Sequence, residues 1–352
     1  MKIAQISPLV ESVPPILYGG TERVVSYLTE ELIRQGHSVT LFASGDSITR
    51  ANLVSPCETA LRFDQGGQDP LAYVILMLDD VFQSVSDFDI MHFHLDYVHL
   101  PLWRRQQCPA VTTLHGRCDL KQLVPIYKRF AEMPLVSISI AQRAPLAWAN
   151  WKANVYHGLP LDLYQPHYEV GKYLAYLGRI APEKRPDLAI EIAVRSGMPL
   201  KIAAKVDRVD QAYFEQQIKP RLAHPSIEYV GELTDTEKER FLGEAYALLF
   251  PIDWPEPFGL VVIEAMACAT PVVAFRRGSV PEIIDHGRTG YIVDSCEQAL
   301  AALREIPRLS RREIRRYFEK RFSVERMALE YVSLYEQLEA EGSKFASRVG
   351  CP

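Results

Sequence analysis

Short apolar, β-branched runs alternate with longer amphipathic segments along almost the whole chain. The run "KIAQIS" is followed by "TERVVSYLTEELIRQG", which has helical spacing and a stop at Gly36. Then come "HSVTLFAS", "DIMHFH", "PAVTTLH", "LVSIS" and "ANVYH". Strands that read as nearly continuous apolar runs, separated by helices, imply a mostly parallel sheet covered on both faces. The pattern breaks at "GLPLDLYQPHYEVGK", residues 158–172, where Gly158, Pro160 and Pro166 interrupt any period, so an interdomain linker is expected there. A second set of strands follows: "YLAYLGRI", "PLKIAAKV", "SIEYVGEL", "YALLFPI", "TPVVAF" and "GYIVDS". The expectation is an α/β protein of two doubly wound, Rossmann-like domains of similar size, residues 1–160 and 161–322. The amphipathic helix of residues 323–342, with "VERMALEYVSLYEQLEAEG" as its body, is expected to pack back on the first. Ligands of such sheets bind beyond the carboxyl ends of the strands, and two such domains facing each other make a cleft.

Composition narrows the function. The chain has 352 residues, a formal net charge of -5 and a pI near 6.0. That balance argues against a general nucleic-acid binder. The six cysteines (57, 108, 118, 268, 296 and 351) show no Cys-x-x-Cys spacing and read as reduced thiols of a cytoplasmic protein. "MKIAQISPLV" holds no apolar core of signal length, and no stretch approaches the roughly 20 apolar residues of a membrane span.

The densest chemistry lies in "WPEPFGLVVIEAMACATP", residues 254–271. A helix is expected from Leu260 to Ala267, ending before Pro271, with Pro257 tolerated in its first turn. The backbone N–H groups of Phe258, Gly259 and Leu260 would then point outward beside the positive end of the helix dipole. That favours an anion or an array of hydroxyls, and Gly259 allows close approach. At roughly 1.5 Å per residue, Glu256 and Glu264 stand about 10 Å or more apart, too far for a retaining acid/base pair of carboxylates. They suit two ends of one extended, hydroxyl-bearing ligand. The competing possibility is a solvated Glu256 and a Glu264 turned to the polar side of the helix.

Cations come from "LGRIAPEKRP". Arg179 ends the first strand of the second domain and Lys184 opens the next helix, and together they suit a diphosphate. Surface ion pairing is the competing account. No cluster of spaced carboxylates suggests a divalent ion, so no metal and no cofactor is expected. In the first domain, "YGGTERVV" places Gly19 and Gly20 between strand and helix. It is not a Gly-x-Gly-x-x-Gly dinucleotide fingerprint. His115 ends the strand "PAVTTLH", where a sugar hydroxyl could be met. His92 and His94 share a strand face with His99 nearby, but no third metal ligand is evident. The basic stretch 304–321, interleaved with Glu305, Glu313 and Glu319, reads as a solvated helix face. Lys121, Lys128 and Arg129 within residues 121–135 suit either a peripheral membrane contact or a core-packing helix.

Together these pieces resemble family 4 of the retaining glycosyltransferases, with the GT-B fold. The match lies in "EPFGLVVIE" with "AMACATPVVAF", in "GRIAPEK", in the Gly19–Gly20 loop and in "GSVPEIIDHGRTGYIV", and is densest between residues 174 and 294. The resemblance implies a second domain that holds a nucleotide sugar and a first that holds the acceptor. It assigns Arg179 and Lys184 to the diphosphate, Glu264 to the ribose, and Glu256 with the amides of Phe258 and Gly259 to the transferred sugar. Gly19 and Gly20 would approach from the other side, and His115 would meet the sugar's C6 hydroxyl.

Three positions depart from the family pattern. Ala269 stands where Gly is usual; "YHGLP" replaces an Asn-Gly-x-Asp; and "AAKVD" replaces a glycine turn, adding Lys205 near the nucleotide, with Gly231 a neighbour of the base. The implied activity is metal-independent transfer of a hexose, glucose first, from a UDP-sugar to a hydroxyl, with retention. GDP-mannose as donor, a sugar-nucleotide epimerase and a non-enzymatic sensor are the alternatives. The acceptor, whether saccharide, lipid or small molecule, and the oligomeric state are not legible.

Overall fold

The structure, a computed structural model, describes residues 1–63, 69–106 and 108–349, with residues 63 and 342–349 described by backbone alone. The chain divides into two compact units, residues 1–158 with 324–352, and residues 159–323.

In unit 1, seven parallel strands run β1 (Lys2–Ile6), β2 (Ser38–Phe42), β3 (Asn52–Val54), β4 (Ile90–Phe93), β5 (Ala110–Thr113), β6 (Leu135–Ser137) and β7 (Trp151–Asn154). Their order is β3-β2-β1-β4-β5-β6-β7. In unit 2, six parallel strands run β8 (Tyr173–Arg179), β9 (Leu200–Lys205), β10 (Ile227–Gly231), β11 (Ala245–Phe250), β12 (Val272–Phe275) and β13 (Gly290–Val293). Their order is β10-β9-β8-β11-β12-β13. The winding reverses between β1 and β4 in one sheet and between β8 and β11 in the other. At such a switch point the loops beyond the strands diverge and leave a crevice for a ligand.

The central strands are buried on both faces. All four residues of β4 and all four of β5 are buried, which is why they read as unbroken apolar runs although His92 and two threonines lie among them. Every strand expected from the sequence is present. β3 was not expected, because its three residues are too few to show a period. It pairs in parallel with β2 from Thr40↔Asn52 to Phe42↔Val54.

Residues 159–172 do not form a free linker, contrary to expectation. Leu159 and Tyr164 are fully buried, the Leu159 N–H donates to Phe322 O at 2.8 Å, and the His167 N–H donates to Cys268 O at 3.1 Å. The glycine and prolines remove the helical period, yet two apolar anchors and paired backbone groups fix the segment to unit 2. The boundary falls between Gly158 and Leu159 on the way out and between Ser323 and Val324 on the way back. The final helix, Val324–Val349, belongs to unit 1 and buries Met327, Ala328, Tyr331, Leu334, Tyr335 and Leu338. That spacing is one stripe of a 3.6-residue period.

The basic helix Arg311–Arg321 is also not simply a solvated face. Arg311 and Arg315 are buried. Arg311 donates to the carbonyls of His167, Gly243 and Ala245, and Arg315 to those of Leu161, Tyr164 and Ala267. Gly243 and Ala267 end the helices Asp235–Gly243 and Leu260–Ala267, so the two guanidiniums satisfy carbonyls that helix ends leave unpaired. Burial lowers the Arg311 pKa to about 10. The expected solvated pairing holds for Glu305 with Arg308 and for Glu313 with Arg316.

The helix Val124–Arg129 buries Tyr127, and Leu123, Val124 and Phe130 pack against the unit 1 core, which favours the core-packing account of that segment. Among the described residues, no helix is long and apolar enough to cross a membrane, and all five described cysteines are free thiols.

Candidate active site

In unit 2 the functional side chains gather on the loops that leave the carboxyl ends of adjacent strands. β8 ends at Arg179, and its guanidinium faces three carboxylates: Glu183 at 3.0 Å, Asp207 at 3.1 Å and Asp210 at 3.4 Å. Lys205, the last residue of β9, pairs with the same Asp207 at 2.7 Å. Burial alone would raise the Asp207 carboxyl, but hydrogen bonds from Lys205 and Arg179 outweigh it and hold the pKa below the usual range. Burial dominates at Asp210 and raises it. Two expected cations are thus brought together by acids the sequence reasoning did not single out. Gly231 closes β10 beside β9 with φ of 80°, a left-handed conformation suited to glycine, and a Cβ there would meet nothing within 4 Å.

Lys184 lies in a short 3-10 turn, Pro182–Lys184, rather than opening the helix, which begins at Pro186. Its Nζ donates to Glu256 Oε2 at 2.5 Å and sits 4.7 Å from the centre of the Trp254 ring. The Trp254 indole N–H donates to the same carboxylate oxygen at 2.9 Å. Glu256 is 8% exposed, so the pair is largely desolvated and little screened by water, and removing either partner would leave a buried charge unpaired. A cation and an anion, both at a switch-point loop, are held by a tryptophan that the sequence showed without assigning it a role.

The helix expected at Leu260–Ala267 is present. Pro257 lies ahead of it rather than in its first turn, since Gly259, with φ of 85° and ψ of 67°, is the N-cap and no side chain bonds the first turn. A Cβ at Gly259 would approach Phe250 to 3.2 Å. Phe258 is buried, and its carbonyl accepts from the Ser279 hydroxyl at 2.7 Å. Gly278 packs so closely that a Cβ would stand 2.3 Å from Glu256 O. The loop after β12 therefore packs against residues 256–258. Glu264 is buried, not turned to a polar side, and the nearest cation is Lys238 at 3.6 Å, itself paired with Asp235 at 3.3 Å.

In unit 1, Gly19 is explained by packing, because a Cβ there would stand 2.7 Å from Pro15. Gly20 begins the helix Gly20–Arg34. Glu22, unremarked in the sequence, is buried in its first turn near buried Glu11, and burial pushes its carboxyl up to about 7. His115 lies two residues past β5 and joins a buried network. Its Nε2 is 2.7 Å from His94 Nδ1, and its ring stacks on His157 with centroids 5.3 Å apart. His99 is not part of it; it stacks on Phe93 and bonds Thr112 Oγ1 at 2.8 Å. Among the described residues, no cluster of histidine, cysteine or acids is arranged for a metal. The expectation of no metal took the chain to hold no Asp-x-Asp, but one is present, Asp87–Asp89. It precedes β4 at the amino edge of the sheet, where Asp89 accepts from the Lys2 N–H at 2.7 Å.

Comparison with known proteins places this geometry. Residues 165–321 match the family model described as glycosyl transferases group 1, and residues 18–157 match the one described as glycosyltransferase family 4. A probable sucrose-phosphate synthase of Thermosipho melanesiensis is 42% identical over 169 residues, 45% of this chain and 40% of that protein. The chain thus aligns with less than half of that relative's length. Among solved structures, sucrose-phosphate synthase from Thermosynechococcus elongatus superposes with a TM-score of 0.76 at 20% identity, covering 97% of this chain and 99% of that one. Anabaena HepE in complex with UDP-glucose gives 0.69 at 17% identity, covering 98% and 100%. These likenesses show the GT-B fold, with its two parallel-sheet domains. Two consecutive family models, a shared fold and the charged loops at the unit 2 switch point lead to one conclusion: the chain is a glycosyltransferase and belongs to the group 1, family 4 glycosyltransferases.

Proposed function

We propose that this chain transfers a hexose, glucose first, from a UDP-sugar to a hydroxyl of an acceptor, with retention and without a metal. Unit 2 would take the donor and unit 1 the acceptor. The observation that carries this reading is the Lys184–Glu256 pair at 2.5 Å, seated on Trp254 ahead of the glycine-capped helix at Leu260. A cation for a phosphate and a carboxylate for sugar hydroxyls stand next to a helix N-terminus that no side chain caps with a hydrogen bond, which favours an anion. That HepE is seen with UDP-glucose supports the choice of donor.

In this reading, Arg179 and Lys184 hold the diphosphate, and Lys205 adds charge beside them. Glu264 accepts from the ribose hydroxyls, and Gly231 leaves space for the base. Glu256, with the amides of Phe258, Gly259 and Leu260, holds the transferred sugar, and Gly19, Gly20 and His115 are what unit 1 would offer to a substrate. The bond from the sugar's anomeric carbon to the diphosphate oxygen breaks. The bond to the acceptor oxygen forms on the same face, and the acceptor's proton passes to the departing diphosphate. Arg179 and Lys184 stabilise the charge that grows there, replacing their own carboxylate partners with phosphate oxygens. A nucleotide-release screen of UDP- and GDP-sugars tests this, first alone and then with pools of saccharide and lipid acceptors. The expected result is UDP release that depends on acceptor. GDP release would reassign the donor, and an epimerised nucleotide sugar without acceptor would overturn the transfer.

A further inference from the structure

The carboxyl edge of the unit 1 sheet holds a polar network with no ionised group in its path. Gln5 in β1 is its branch point. Its Oε1 lies 2.8 Å from His94 Nε2, and its Nε2 donates to the Tyr335 hydroxyl at 3.2 Å. Gln5 and His92 are fully buried, and His94 is 3% exposed. From Tyr335 the path continues to His92 Nδ1 at 2.7 Å. It then passes from His92 Nε2 to Thr113 Oγ1 at 2.7 Å and from Thr113 to the Tyr331 hydroxyl at 2.9 Å. On the other branch, His94 Nδ1 lies 2.7 Å from His115 Nε2. His115 Nδ1 is buried and has no hydrogen-bond partner among the described residues.

With the Gln5 amide oxygen turned to His94 and its nitrogen to Tyr335, donor and acceptor bookkeeping gives this network one direction. An amide oxygen only accepts, so His94 must donate to Gln5 through Nε2. Burial holds His94 well below its ordinary pKa, so it carries a single ring proton, and His94 Nδ1 is therefore an acceptor. His115 must then donate through Nε2. Burial also holds His115 neutral, with its pKa lowered to about 3, so its Nδ1 is left as a bare lone pair. The other branch agrees: Tyr335 receives from the Gln5 amide, gives its proton to His92 Nδ1, and leaves His92 to donate through Nε2 to Thr113. No member of either branch is asked to donate twice.

We propose that Gln5 and His94 are positioning residues that lock His115 in its Nε2–H form, so that His115 Nδ1 accepts a hydrogen bond from a ligand hydroxyl and disfavours an oxyanion. That the hydroxyl belongs to the transferred sugar rests on the function proposed above. The tautomer itself does not. A buried acceptor without a partner costs free energy, and a ligand hydroxyl removes that cost. A phosphate oxygen, which also accepts, would meet lone pair against lone pair. His157, stacked on the same ring at an interplanar angle of 16°, fixes the plane in which that lone pair points.

The test uses the full-length chain with 15N-labelled histidine and long-range proton–nitrogen correlation, the His115 signals being assigned by their loss in His115→Asn. In the wild-type chain, His115 is expected to show a protonated Nε2 and an unprotonated Nδ1. A protonated Nδ1, or an imidazolium at neutral pH, would overturn the proposal without any further variant. In Gln5→Met, which keeps the length of the side chain and removes the amide, the single tautomer is expected to give way to a mixture. An unchanged His115 would sink the relay. In the transfer assay, Gln5→Met is expected to lower kcat about tenfold while the donor KM stays within about threefold. If no nucleotide sugar is turned over, the function proposed above fails, and the nitrogen spectra still decide the tautomer.

Discussion

The two units share a winding order and differ in what they place at the carboxyl edge of the sheet. Unit 2 places charge there: Arg179 among three acids, Lys205 on Asp207, and Lys184 on Glu256. Unit 1 places neutral groups there, four imidazoles, two phenols, a threonine and an amide, most of them fully buried. The topology therefore fixes where a site can form but not its chemistry. A charged edge can exchange carboxylates for the oxygens of a polyanion. A neutral edge offers single, directed hydrogen bonds and rejects charge, because a buried ion without a partner is costly.

The contrast can be broken most sharply at Lys184. Lys184→Ala is expected to lower transfer about a hundredfold, the loss typical of removing one preorganised donor from a developing charge. Activity near that of the wild type, measured by nucleotide release at saturating donor, would defeat the leaving-group role.

Glu264→Gln should have a smaller effect. It keeps the shape but weakens the acceptor facing a diol, so UDP is expected to bind about tenfold more weakly by calorimetry. Unchanged affinity would move the ribose elsewhere.

The buried histidines of unit 1, those of the neutral edge and His99 beside it, predict a pH effect instead. Burial lowers His99 and His115 from the ordinary 6.5 to about 3. Between those values the unfolded chain binds protons that the folded chain refuses. Stability present above 6.5 is therefore lost as pH falls through that window. The melting temperature should drop between about pH 7 and about pH 5, and less steeply in His99→Gln. Buried Glu22, raised to about 7, works in the opposite direction in the same window, so the decisive reading is the difference: a fall of the same steepness in His99→Gln would show that His99 is not buried neutral.

The smallest effect is expected at Ala269. It is fully buried with φ of 63°, which explains why glycine suits the position. Ala269→Gly relieves about 1 kcal/mol of left-handed strain and loses about as much in buried methyl and chain entropy. A change in unfolding free energy beyond about 1 kcal/mol in either direction would show that one term dominates.

The strands and the helix at Leu260 were legible because burial on both faces writes a continuous apolar run, and because glycine and proline mark the ends of elements. The cations of "GRIAPEK" were legible as types, but not their partners. Asp207 and Asp210 lie in a separate loop, and only the β8–β9 pairing brings them to Arg179. Arg311 and Arg315 looked like any surface arginine of a helix with interleaved acids. Nothing local distinguishes an arginine that caps distant carbonyls. The same holds for His94, whose partners come from another strand, Gln5 in β1, and from the loop after β5, His115.

One consequence concerns synthesis. Unit 2 is a single uninterrupted stretch, residues 159–323, whereas unit 1 needs its last helix, and the Gln5–Tyr335 bond joins groups 330 positions apart. As the polypeptide leaves the ribosome from its amino end, everything required by the later-made half is available before the earlier-made half can finish. The strands of unit 1 must wait, with the hydrogen bonds of Gln5 and His92 to Tyr335 unmade, for the helix that begins at Val324 to emerge.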